Sequence, residues 1–147
     1  KGERAIPFAD FHLLPGNTPQ RETVLEPGDL ITHVTLPPAP PNSRSLYLKL
    51  RDRASYEFAL ASAAVMITNA NGKISRARIA LGGVGTKPWR STDAETELTN
   101  QPATEAAFRK AADAALRDAK PQSQNAFKVE LAKRCLVQAL KLATQPA

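Results

Sequence analysis

Lys49, Arg51, Asp52, Arg53, Tyr56 and Glu57 form the densest run of chemically capable side chains in the sequence. They fall between two strand patterns and therefore share one connecting loop. Cations beside an aromatic suit two readings. An isoalloxazine accumulates negative charge at N1 and the adjacent carbonyl on reduction, so a nearby Lys or Arg stabilises the reduced ring, and an aromatic beside it controls access of an oxidant. The same residues also make an ordinary solvated, salt-bridged loop, and composition alone favours that reading.

Other reactive residues point to structure rather than chemistry. Gly82-Gly83-Val84-Gly85 follows a strand, which suggests a phosphate cradle, but Thr86-Lys87-Pro88-Trp89 comes next and Pro88 opposes immediate helix entry. The alternative is a tight turn that needs positive φ or close backbone approach. His12 and His33 are the only histidines, one in a loop and one in an expected strand, and a two-histidine metal site would also need a carboxylate beside them. Surface histidines are the simpler reading. Cys135 falls on an apolar helical stripe and reads as a buried, inert thiol. Trp89, beside Arg90, reads as an anchor for its loop.

The elements that must position these residues follow from periodicity. Residues 1–29 read as irregular chain with turns at Pro15-Gly16-Asn17 and Pro27-Gly28-Asp29. Leu30 to Leu36 alternates as a strand does, and Pro37-Pro38-Ala39-Pro40-Pro41 ends it and marks the best domain boundary. Strands are expected near residues 45–51, 58–68 and 73–82. Asn71-Gly72 supplies the hairpin turn between the last two. Ala77, Ile79 and Leu81 share one face of the third strand, with Arg76 and Arg78 on the other. Helices are expected near residues 92–98, 103–119 and 124–144. Thr92-Asp93-Ala94-Glu95 has the spacing of a capping box. Phe108, Ala112, Ala115, Leu116 and Ala119 face one way in the second helix; Phe127, Leu131, Cys135, Ala139 and Leu142, widened by Leu136 and Leu140, do so in the third. The fold class is α+β: an antiparallel sheet of about three strands covered by about three C-terminal helices.

Composition bounds the rest. A chain of 147 residues holds one domain with a real core or a small domain with a tail. No apolar run approaches a membrane span or a signal-peptide core, so a soluble protein is expected, with the compartment left open between cytoplasm and periplasm. The absence of an initial Met reads as a fragment or a processed chain. A single cysteine excludes an internal disulfide and any multi-cysteine iron–sulfur site within the chain. The formal net charge of +6 suggests acidic partners, but the basic residues are scattered among acidic ones, which argues against nucleic acid. On charge alone the alternative is a stand-alone basic α+β module that binds a protein or nucleic acid.

Four ordered segments sharpen this. They are Asp10-Phe11-His12-Leu13-Leu14-Pro15-Gly16; Leu25-Glu26-Pro27-Gly28-Asp29-Leu30-Ile31 running to Leu36-Pro37; Lys49 through Ala59; and Ala80-Leu81-Gly82-Gly83-Val84-Gly85 followed by Lys87-Pro88. Together the sequence resembles the C-terminal part of the FAD-binding subunit of the xanthine dehydrogenase, aldehyde oxidoreductase and carbon monoxide dehydrogenase family. The phrasing is most similar to bacterial molybdenum aldehyde oxidoreductases. The resemblance implies that residues 1–41 are the tail of the FAD-binding domain and that residues 42–147 are the C-terminal domain of the flavoprotein subunit. It implies FAD held largely by an earlier part of such a subunit. An iron–sulfur small subunit and a molybdenum-cofactor large subunit are the implied partners, with electrons passing through FAD to an acceptor. By the same resemblance Ile31 packs on the isoalloxazine, Lys49 reaches the ring, and Leu50 to Ala59 is a loop beside it, with Tyr56 approaching the flavin. Where the family often writes Asp-x-Ala, this chain has Glu57-Phe58-Ala59.

Overall fold

A computed structural model describes residues 2–145. β1 (Ser43–Leu50), β2 (Ala61–Ala70), β3 (Lys73–Gly82) and the short β4 (Trp89–Arg90) form one antiparallel sheet in the order β1-β2-β3-β4. It is thus a four-stranded sheet, one short edge strand more than expected. The β2–β3 hairpin turns where Asn-Gly predicts it, with Asn71 and Gly72 both at positive φ (51° and 73°). Positive φ at both central residues matches the hairpin turn to the twist of its strands.

Period-two alternation decides which face is covered. Ala61, Ala63, Val65 and Ile67 of β2, with Ile74, Ala77, Ile79 and Leu81 of β3, are buried, and Leu46, Leu48 and Leu50 of β1 extend this surface. Three helices cover it: α2 (Thr92–Leu98), α3 (Glu105–Ala115) and α4 (Phe127–Thr144), with the single turn α1 (Phe8–Phe11) lying earlier in the chain. α4 lies on β1 and β2, α2 on β3, and α3 on α2 and α4. Many contact residues are alanine, which lets helix backbones approach the sheet closely. The buried stripe of α4 is Ala132, Cys135, Leu136, Ala139, Leu140 and Ala143. Phe127, expected on that stripe, is exposed at the start of the helix. α3 is shorter than expected: after Ala115 the chain continues in turns, with Arg117 N–H donating to Ala114 O at 3.4 Å and Ala119 N–H to Leu116 O at 3.1 Å.

Three local expectations fail for identifiable reasons. The strand expected over 30–36 is absent among the described residues. A strand needs a neighbouring ladder, and residues 30–36 pair with neither edge of this sheet, so Leu30, Val34 and Leu36 are exposed. The alternation has nothing here to pack against. His33, with it, lies outside any strand. The capping box at Thr92 is also not formed. Ser91 is the N-cap, its Oγ accepting from Ala94 N–H at 3.2 Å, and Glu95 turns away to the sheet. β2 starts at Ala61 rather than near 58, because Phe58 points into solvent and the ladder only closes at Leu60, whose N–H donates to Leu50 O at 2.9 Å.

Candidate functional site

The strand end and loop that carry Lys49 and Tyr56 are built on β1 and β2. Leu46, Leu48 and Leu50 pack toward the helices, so Lys49, one step out of phase, lies half-buried on the opposite face of the sheet. Lys49 is directly opposite Ser62, and Ser62 is opposite Gly82. A Cβ at Gly82 would come within 2.6 Å of Ser62 Oγ. The row beside Lys49 is therefore tightly packed, with Ser62 buried. Among the described residues no carboxylate forms an ion pair with Lys49.

Past Leu50 the chain leaves the sheet for ten residues and returns through the Leu60 N–H to Leu50 O bond. Glu57 organises that loop. Its Oε2 accepts from the backbone N–H of Asp52 and from that of Arg53, both at 2.9 Å. Tyr56 adopts positive φ (56°) and is 97% exposed, while Phe58 is 95% exposed. The loop is solvated, but among the described residues its charged side chains form no salt bridge: Glu57 pairs with amides, not with Arg51 or Arg53. Lys49 and Tyr56 thus belong to one structural unit. Ile31 stands apart. It is 56% exposed, and no strand pairing joins residues 30–36 to β1 or the loop among the described residues.

The glycine turn has a steric cause. Gly83 has φ +71°, and a Cβ there would lie 2.8 Å from Ala59 O. It is the tight approach that the sequence offered as the alternative to a phosphate cradle, and it seats the end of β3 against the end of the Lys49–Ala59 loop. Trp89 anchors its segment as expected: its Nε1–H donates to Ala115 O at 3.1 Å. His12 is packed edge-on by Phe8 and Phe11, with centroids 5.2 and 5.1 Å away, and no metal-ligating cluster exists among the described residues. Cys135 is buried, its Sγ 3.8 Å from Leu48 O and 3.9 Å from Ala61 O, and burial pushes its thiol up to about 11.

Sequence reasoning missed one hub. Glu95, 7% exposed, accepts from Arg90 Nε at 2.8 Å, Arg90 Nη2 at 3.0 Å, Arg78 Nη1 at 3.0 Å and Ile79 N–H at 3.0 Å. Burial pushes its carboxyl up. The Arg90 hydrogen bond, the Ile79 N–H and the charges of Arg90 and Arg78 together outweigh that and hold it below the ordinary 4.5. The hub ties α2 to β3 and β4. The available signal was Arg78 on the strand face opposite the core and Arg90 just before the helix, but the capping-box spacing assigned the Glu95 carboxylate elsewhere. No helix of the described residues is long and apolar enough to cross a membrane.

Comparison with known proteins matches this frame. Residues 46–143 match the family model of the CO dehydrogenase flavoprotein C-terminal domain. The chain is 45% identical over 138 residues to the aldehyde oxidoreductase FAD-binding subunit PaoB of Escherichia coli (strain K12), covering 93% of this chain and 40% of that protein. The reconstituted CO dehydrogenase from Oligotropha carboxidovorans is similar with a TM-score of 0.80 at 27% identity, over 91% of this chain and 46% of that one. The carbon monoxide dehydrogenase from Hydrogenophaga pseudoflava that lacks the Mo-pyranopterin moiety gives 0.75 at 28% identity, over 82% and 43%. The chain therefore spans less than half the length of these relatives. With the helix-covered sheet, the glycine turn and the Lys49–Ala59 loop all inside or beside the matched span, the chain belongs to the CO dehydrogenase flavoprotein C-terminal domain family.

Proposed function

We propose that this chain is the C-terminal part of an FAD-binding electron-transfer subunit in a molybdenum-dependent oxidoreductase of the aldehyde or xanthine type. In this reading residues 1–41 are the tail of the FAD-binding domain and residues 42–147 the C-terminal domain. An iron–sulfur small subunit and a molybdenum-cofactor large subunit are its partners. The 45% identity to an aldehyde oxidoreductase FAD-binding subunit supports the aldehyde side of that range.

The single observation that carries the reading is the Lys49–Glu57 unit. An ammonium group on the sheet face away from the helices adjoins a loop that presents an exposed aromatic ring. These features fit a planar, electron-accepting ring. Lys49 is half-buried beside the small residues Ser62 and Gly82, and among the described residues no carboxylate forms an ion pair with it. Bound FAD would supply the redox chemistry. Lys49 would stabilise negative charge on the ring, by a Coulomb interaction that strengthens where water is excluded. Tyr56 would flank the ring and control how an electron acceptor reaches it. Ile31 would contribute an aliphatic contact once residues 30–36 are paired; their alternating apolar side chains and lack of a ladder support such pairing. No residue of this chain is assigned to substrate oxidation.

The test is spectroscopic. This 147-residue chain alone should purify without flavin, whereas a complete subunit containing it should hold FAD, and Lys49→Met there should shift the flavin absorption bands. Stoichiometric FAD on the chain alone would refute the domain assignment. Unshifted bands in the Lys49→Met subunit would refute the placement of Lys49.

A further inference from the structure

Glu57 is the one residue of 51–58 that is half-buried rather than exposed. One carboxylate oxygen accepts two successive backbone N–H groups, those of Asp52 and Arg53, at 2.9 Å each. This is an anion seated in a concavity of consecutive amides, except that the anion is supplied by the loop itself. The bonds span four and five residues and close the loop across its middle. The residue just before Glu57 is Tyr56, held at φ 56°, a conformation that a non-glycine residue adopts at a cost. Such a conformation persists when its surroundings over-determine it, and here the flanking constraints are the Glu57 clamp and the Leu60–Leu50 closure.

We propose that Glu57 is a positioning residue: by clamping the Asp52 and Arg53 amides it fixes the left-handed turn at Tyr56 and sets where the phenol ring is presented. The inference rests on the reading of Tyr56 as the residue beside the flavin. It assigns to Glu57 no contact with cofactor or acceptor. Glu57 acts through Tyr56, so the effects of removing the two are not additive.

Two measurements test it. The first is amide hydrogen exchange by NMR on this chain, with the amides of Ala54 and Ser55 as internal controls and those of β2 and β3 reporting on the fold. In the wild type the Asp52 and Arg53 amides should exchange more slowly than those of Ala54 and Ser55. Glu57→Ala should accelerate them roughly tenfold, the loss of one charge-assisted hydrogen bond each. Glu57→Gln, whose amide oxygen still accepts, should restore most of the protection. The second is a double-mutant cycle on kcat/KM for the electron acceptor in the assembled enzyme. Glu57→Ala and Tyr56→Ala should each lower it, and the double variant should be no worse than Tyr56→Ala. Glu57→Gln should recover most of the rate. Equal exchange at all four loop amides, or exchange unchanged in Glu57→Ala, would overturn the clamp. Additive losses in the cycle would overturn its action through Tyr56. Normal acceptor kinetics in Tyr56→Ala would overturn the flavin reading of the loop and the role given to Glu57 with it, and the intact exchange pattern would tell that result from a failed clamp.

Discussion

Replacing Glu95 should reveal how the sheet holds its first covering helix. The carboxylate is buried and takes four hydrogen bonds, two of them the parallel pair from Arg90. Glu95→Ala leaves the Ile79 N–H without a partner, which costs about 1–3 kcal/mol. Loss of the charge-assisted bonds adds about 1.5–3 kcal/mol. That second figure is discounted because the side chains of Arg78 and Arg90 are 43% and 53% exposed and regain water. The sum is about 3 kcal/mol. At about 2–4 °C per kcal/mol for a chain of this size, the melting temperature falls by roughly 10 °C. Glu95→Gln keeps an acceptor for Ile79 and should cost about half as much. Its pH dependence supplies a second signature. The carboxyl is depressed in the folded state, so its stabilisation is complete above the ordinary value of 4.5 and is lost as pH falls through the lower folded value. The stability gap between wild type and Glu95→Gln should therefore be flat above pH 4.5 and narrow in acid. Urea denaturation at several pH values measures both quantities. A Glu95→Ala variant within about 0.5 kcal/mol of wild type at neutral pH would refute the reasoning.

Two further outcomes follow from the packing around the loop. Gly83→Ala should destabilise by about 1–3 kcal/mol, since its Cβ would meet Ala59 O at 2.8 Å in a positive-φ conformation, and thermal melts measure it. Cys135→Ser should cost about 1–3 kcal/mol, because a hydroxyl is buried where the carbonyl oxygens of Leu48 and Ala61 lie 3.8 and 3.9 Å from the sulfur; the native thiol, raised to about 11, should react slowly with thiol reagents at neutral pH, and fast labelling would contradict its burial.

What the sequence disclosed divides along the range of the interactions involved. The Asn71-Gly72 hairpin and the Ala77, Ile79 and Leu81 face are local signals, and both appear as read. The burial of Cys135 follows from helical periodicity, although the stripe of α4 is turned away from Phe127. Residues 30–36 show the opposite case: the alternation is present in the sequence, but a ladder is a property of two strands, and these residues pair with no strand of this sheet. Glu95 was misassigned because a carboxylate near a helix start has a local use, the capping box, and a long-range one, and only the approach of Arg78 and Ile79 decides between them. Lys49 and Tyr56 came from the resemblance; the fold adds that they share one unit and that Glu57 holds it. β4 is two residues long and leaves no periodicity to read.

A redox titration of the flavin in the complete subunit, wild type against Lys49→Met, tests the placement of this chain at an isoalloxazine most directly. Removing a partly solvated positive charge worth about 1–2 kcal/mol should lower the two-electron potential by roughly 20–40 mV, at about 30 mV per 1.4 kcal/mol. A potential that stays within error of the wild type would contradict the flavin role of Lys49.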